Sequence, residues 1–288
     1  MTDFLNNNII QTLLTLAYQY IKTKLMVTQF VLVDNCKIAY FEKNPDSAQT
    51  IFFIPGNSVS KRVWRKQMNS AELSPYRLIA IDFPAHGDSD AMDERYYTFI
   101  GLAEILSKVI TALSDDKPYI LAGVSLGTNI IAEMLAFDLV PIGLVLAGPC
   151  VFGENYKVEQ IAKPGTHVGV AFTDESDENE VLSYAHETSL SEYGDDLEIF
   201  FEDFRSVKAP FRSALGKSIF EGNFKDELRL IKEKNILSLV IFGKNELVVD
   251  CDYLDNAELP LWKPVYKIQG ASHLVNIDQP IEFHQFVN

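Results

Sequence analysis

Tyr119-Ile120-Leu121-Ala122-Gly123-Val124-Ser125-Leu126-Gly127-Thr128 is the stretch on which the fold turns. Its first half is an unbroken apolar run, as expected of a strand buried on both faces. Its second half is Gly-x-Ser-x-Gly, and a helix-forming run from Thr128 to Phe137 follows. A strand, a sharp turn and a helix would hold Ser125 in a strained backbone, its hydroxyl exposed above the sheet. The flanking glycines let neighbouring backbone pass close by. The first N–H groups of the helix would face any negative charge that develops there.

Outward from this point the chain alternates strands with helices. Thr50–Ile54, Leu78–Ile81, Gly143–Ala147 and Leu239–Phe242 are further short apolar runs, and Val265–Ile268 is another candidate strand. Gln29–Val33 and Lys37–Glu42 read as a hairpin turned at Asp34-Asn35. Phe99–Leu113 reads as a helix. Such alternation predicts a mostly parallel sheet covered on both faces. The rhythm breaks between Cys150 and Lys234, in a stretch rich in Glu, Asp, Phe and Tyr. The predicted organisation is an α/β core of residues 26–150 and 235–288, interrupted by a helical lid of residues 151–234. Within that lid, Asp174 to Asp203 carries twelve acidic residues and no Lys or Arg. It reads as a solvated charged surface or as a field that repels anions.

Residues 1–25 read as a separate amphipathic extension, with Ile9, Ile10, Leu13, Leu14, Ala17 and Ile21 at helical spacing. Asn6, Asn7, Asn8, Gln11 and Gln19 interrupt it too often for a membrane span, and Asp3 stands where a signal peptide is basic. A net charge of −15 and a pI near 4.7 argue against binding nucleic acid or anionic membranes. Three scattered cysteines, Cys36, Cys150 and Cys251, supply neither a disulfide framework nor a metal site. The expected protein is cytoplasmic and needs no metal or other cofactor.

A serine nucleophile needs a base, because its hydroxyl is barely ionised at neutral pH. Of the five histidines, His273 follows the last predicted strand in Gly270-Ala271-Ser272-His273, where a loop can carry it over the sheet edge. His86 sits in a strand-exit loop, His167 and His186 in the lid, and His284 near the C-terminus. The orienting acid should fall between serine and histidine in the chain. Glu246, three residues past Gly243, is the assignment; Asp250 is its rival and Glu154 a third option. Ile54-Pro55-Gly56-Asn57-Ser58 follows a buried strand and would give the backbone N–H of Asn57 to an oxyanion hole, with the N–H of Leu126 as the second donor.

These motifs, in this order, resemble the α/β-hydrolase superfamily over nearly the whole chain after Met26. Asp82 to Ser89 is similar to the family's D-x-x-G-x-G-x-S segment, with Ala85 where glycine is common, and Pro55 departs from the usual His-Gly opening. Neither departure removes an assigned donor. Ser125 excludes the haloalkane-dehalogenase and epoxide-hydrolase branches, which use aspartate as nucleophile. A narrower resemblance, to the metal-independent N-acyl-homoserine lactonases of this fold, rests on Gly56-Asn57-Ser58, Ser125-Leu126-Gly127, Ser183-Tyr184-Ala185 and the placement of Glu246. It implies a glutamate triad, Tyr184 as a substrate-contacting lid residue, and a small neutral ester or lactone as substrate. No H-x-H-x-D-H or H-E-x-x-H run is present to hold a catalytic metal. A general carboxylesterase shares every catalytic residue, and a non-catalytic ligand receptor on the same fold is the reading from another class.

Overall fold

The computed structural model describes residues 26–154, 158–191 and 195–287; the extension predicted over residues 1–25 lies outside them. Eight strands form one sheet in the order β1-β2-β4-β3-β5-β6-β7-β8. β1 (Gln29–Val33) and β2 (Cys36–Lys43) make the expected hairpin, and β2 pairs antiparallel with β4 (Arg77–Ile81). Asp34 and Asn35 have φ of 48° and 62°, the two left-handed positions that a tight right-twisted hairpin requires. β3 (Thr50–Ile54), β5 (Tyr119–Val124), β6 (Gly143–Ala147), β7 (Ser238–Gly243) and β8 (Tyr266–Ile268) continue the sheet in parallel.

The apolar runs are continuous because both faces of the sheet are buried. Phe52 and Ile54 enter one core with Leu121, Leu146 and Phe242. Ile51 and Phe53 point the other way and meet Trp64, Ala122, Ile241 and Phe283. Helices of eight residues or more are numbered here in chain order. α1 (Phe99–Leu113) begins at Thr98, whose hydroxyl accepts from the Gly101 N–H at 2.9 Å. α2 (Leu126–Met134) starts directly after Ser125, two residues earlier than its helix-forming run suggested, and stops before Phe137.

Between β6 and β7 the longer elements are α3 (Glu178–Thr188), α4 (Asp195–Ser206), α5 (Phe211–Phe220) and α6 (Glu227–Lys234). α6 packs on α2. Its buried Glu227 accepts from Asn129 Nδ2 at 2.8 Å and from the Phe152 N–H at 2.7 Å. The last described helix is α7 (Pro280–Val287). No helix among the described residues is long and apolar enough to cross a membrane.

The acidic run is only partly solvated surface. Asp196 pairs with Arg65 and Lys66, and Glu202 and Asp203 both pair with Arg62. Asp177 caps α3 by accepting from the Asn179 N–H. Asp195 and Asp196 stand in the first turn of α4, where the helix dipole favours negative charge. Asp196, Glu202 and Asp203 therefore dock α4 onto the segment that follows β3.

Candidate active site

Parallel strands end together, so the loops after them converge above one edge of the sheet. Ser125 follows β5, Asn57 comes three residues after β3, Cys150 follows β6, Glu246 follows β7 and His273 follows β8. Ser125 has φ 53° and ψ −125°, a conformation few non-glycine residues adopt, and such strain gathers at functional sites. Its flanking glycines have steric reasons to be there. A Cβ on Gly123 would lie 2.7 Å from the Gly127 backbone, and one on Gly127 would lie 2.5 Å from the Ile54 carbonyl oxygen.

Glu246 and His273 form a buried pair. His273 Nδ1 lies 2.8 Å from Glu246 Oε2. The other carboxylate oxygen of Glu246 accepts from the N–H groups of Val248, at 2.7 Å, and Val249, at 3.3 Å. Those donors fix the direction of the carboxylate. The loops are also tied by their backbones, the Asn245 N–H donating to the Ala271 carbonyl at 2.9 Å. Burial opposes protonation of His273, but Glu246 and then Cys150 outweigh it and hold the imidazole above its usual 6.5.

The remaining ring nitrogen, His273 Nε2, is buried without a hydrogen-bond partner among the described residues. Ser125 and His273 are not joined by a hydrogen bond. Instead Ser125 Oγ lies 3.9 Å from Cys150 Sγ. Catalytic contacts are commonly looser before substrate arrives. Of the rival acids, Asp250 accepts from the Asp252 N–H in a local turn, and Glu154 is exposed on the cavity rim. Asp250, Cys251 and Asp252 place potential ligand atoms close together, and neither Glu246 nor His273 belongs to that group.

A cavity of about 790 Å³ opens over Ser125. Its wall includes Asn57, Leu126, Cys150 and Tyr184, so the assigned oxyanion donors and Tyr184 border the same space as the serine. The rest is largely apolar, with Phe99, Phe152, Phe172 and Phe224 among the lining residues. Tyr184 is buried and packs edge-on against Phe200 of α4; burial raises its phenol above the usual 10.0.

Residues 51–286 match the Alpha/beta hydrolase family. The chain belongs to that family. No curated protein matches this hydrolase, but solved structures share its fold. An N-acyl homoserine lactonase, AidH, in complex with N-hexanoyl homoserine lactone, superposes with a TM-score of 0.82 at 24% identity, covering 91% of this chain and 96% of that one. A putative aryl esterase from Burkholderia cenocepacia gives 0.73 at 18% identity, with 91% and 96% covered. The carboxylesterase CesB from Bacillus subtilis gives 0.71 at 17%, with 94% and 95% covered.

Several residues hold the site through contacts that the motifs did not foretell. Ser58, with φ 62°, is fully buried. Its N–H donates to His86 Nε2 at 3.2 Å, and its hydroxyl donates to Asn57 Oδ1 at 3.1 Å while accepting from Arg212 Nε at 2.8 Å. His86 Nδ1 lies 3.0 Å from the Pro84 carbonyl, which can only accept, so the proton sits on Nδ1. Burial keeps that ring neutral, bringing it down to about 3. Asp203 accepts from both the N–H and the hydroxyl of Ser60 at 2.8 Å. Asp82 of the Asp82–Ser89 segment holds the buried ammonium of Lys61 at 2.7 Å.

Proposed function

We propose that this hydrolase cleaves carboxylic esters and lactones through an acyl-enzyme on Ser125, and that N-acyl-homoserine lactones are its substrate class. The observation that carries the catalytic reading is the buried His273–Glu246 pair, which commits Nδ1 to the acid and leaves Nε2 as the nitrogen able to take a proton. Ser125 Oγ attacks the ring carbonyl carbon and its proton passes to Nε2. The oxyanion rests on the N–H groups of Asn57 and Leu126. As the tetrahedral intermediate collapses, the ring C–O bond breaks and Nε2 returns the proton to the departing oxygen. Water, deprotonated by His273, then cleaves the ester to Ser125 and releases the hydroxy acid. Nothing in this sequence calls for a metal.

The lactone reading is supported by the apolar cavity, which suits an amide-linked acyl chain, and by the motifs shared with homoserine lactonases. Opening such a signal molecule is quorum quenching. We assign residues 151–234 as the lid, with α6 also serving the core as a cover over α2, and Tyr184 as its contact with substrate. The test is a panel of N-acyl-homoserine lactones, linear esters and thioesters with products identified by mass. A lactone converted to its hydroxy acid by wild type, and not by a folded Ser125→Ala variant, is the expected result. Linear esters turned over far faster than every lactone would leave a carboxylesterase. A Ser125→Ala protein retaining a tenth of the activity would remove the nucleophile assignment, since losing it should cost roughly a million-fold.

A further inference from the structure

Arg212 sits on α5 with its side chain buried, a long way in sequence from the loop it touches. Nε donates to Ser58 Oγ at 2.8 Å, Nη2 donates to the Phe204 carbonyl, and the guanidinium lies 3.9 Å above the Phe204 ring. Among the described residues no carboxylate is in ion-pair contact with it. A buried cation without a carboxylate is costly to hold, so its retained contacts call for a reason. Burial lowers its pKa to about 10, so it remains cationic at neutral pH.

What Arg212 grips is itself unusual. Ser58 is a buried serine in the left-handed region, a strained conformation that persists only where surroundings impose it. Arg212 and His86 impose it from two sides, one on the hydroxyl and one on the N–H. With Arg212 supplying the donor, the Ser58 hydroxyl turns its own proton to Asn57 Oδ1. Asn57 then donates Nδ2 to the Ala171 carbonyl at 2.6 Å. The relay Arg212–Ser58–Asn57–Ala171 therefore starts and ends on the segment between β6 and β7, and clamps the loop after β3 between its two ends. Arg212 is not among the residues lining the cavity, so it has no direct path to substrate.

We propose that Arg212 is a positioning residue for the oxyanion hole: acting through Ser58, it fixes the backbone of Asn57 so that its N–H meets the carbonyl oxygen of a substrate bound at Ser125. The proposal rests on the catalytic reading given above, with Asn57 as a donor. It makes the hole depend on the docking of α5, which no donor in the hole touches directly.

The experiment compares full-length wild type with Arg212→Met, Arg212→Lys, Ser58→Ala and the Arg212→Met/Ser58→Ala double variant. Each is assayed on N-hexanoyl homoserine lactone and on 4-nitrophenyl butyrate, with folding checked by near-ultraviolet circular dichroism and Tm. Arg212→Met and Ser58→Ala should each lower kcat by roughly ten- to a hundredfold, less than outright loss of a donor, with KM changed by no more than about threefold. The double variant should be no worse than the poorer single variant, because both interrupt one relay. Arg212→Lys, which keeps the charge and one donor, should recover part of kcat. A kcat like wild type in Ser58→Ala, losses that multiply in the double variant, or an effect confined to KM would overturn the proposal. Should Arg212→Met not fold, Ser58→Ala and Arg212→Lys decide the matter by the same criteria. Failure of the catalytic reading shows separately, as activity that survives Ser125→Ala.

Discussion

The two sides of the site are built differently. On the acid–base side, Glu246 and His273 meet across 27 residues of chain, and the carboxylate is steadied by N–H groups two and three residues further on. The imidazole and its carboxylate partner come from two adjacent loops, and the residues beside them also reach the segment between β6 and β7: Ser272 Oγ donates to the Glu187 carbonyl and the Leu274 N–H to the Thr188 carbonyl, both at 2.7 Å. On the oxyanion side, the contacts that hold Asn57 and its neighbours span 114 residues to Ala171, 143 to Asp203 and 154 to Arg212. The direct contact that orients the imidazole is therefore short-range, whereas the side-chain contacts of the loop after β3 are mostly long-range, with His86 as a nearer partner of the Ser58 N–H.

The largest effect should come from breaking the short-range Glu246–His273 pair. Glu246→Gln should reduce kcat by about ten-thousandfold with KM little changed, as loss of the orienting carboxylate does in other triads. Asp250→Asn, which removes only a local turn contact, should be close to silent. The pH profile sharpens the test. His273 must be neutral to accept a proton, and it is held above 6.5 mainly by Glu246 against the opposing effect of burial. In wild type the acid limb of kcat/KM should therefore fall above pH 6.5, and it should move downward in Glu246→Gln. The stability linked to this pair has the opposite dependence: it is fully present below 6.5 and lost as pH rises through the folded value. An acid limb that stays put in Glu246→Gln would remove Glu246 as the partner.

A smaller effect, on stability rather than chemistry, should come from the other side. Asp203 is 3% exposed and accepts from Ser60 and Arg62. Asp203→Asn replaces a charge acceptor with an amide and leaves buried donors mismatched, at a cost of roughly 2–4 kcal/mol. For a chain of this size that is a Tm lower by roughly 3–7 °C. Glu178→Gln, in the same acidic run but in an exposed pair with Arg205, should cost no more than about 0.5 kcal/mol. Equal Tm shifts in thermal scans would mean that the acidic run acts as one solvated surface, contrary to its pairing.

The same contrast explains what could be read in the sequence. Strand runs, the serine turn and the order serine, acid, histidine are local signals, and they led to Ser125, Glu246 and His273. Asn57 was reachable because it follows a buried strand. Ser58 and His86 lie within motifs that name no partner for them, and Asp203 and Arg212 carry no local signature. Each looks like an ordinary loop or helix residue until distant segments are brought together. The acidic run was visible as composition, but its partners Arg62, Arg65 and Lys66 lie more than a hundred residues upstream, so a docking surface resembled a solvated one.

Ala85 offers the finest test of the clamped side. It stands where related sequences commonly have glycine, and its φ is 63°, the region in which a Cβ crowds the following carbonyl at a cost of roughly 1–2 kcal/mol. Glycine would relieve that strain. It would also free the unfolded chain by about 0.5–1 kcal/mol and remove a methyl group that is fully buried in the core, worth about 0.8 kcal/mol. The backbone contacts survive either way, because the Ala85 N–H donates to the Asp90 carbonyl and its own carbonyl accepts from the Lys208 N–H. These contributions nearly cancel, so Ala85→Gly should change stability by less than about 1 kcal/mol in a denaturant titration. A gain of about 2 kcal/mol would mean that this turn stores more strain than its methyl packing offsets. A loss of that size would mean that the alanine methyl, beside His86, helps to hold the histidine that receives the Ser58 N–H.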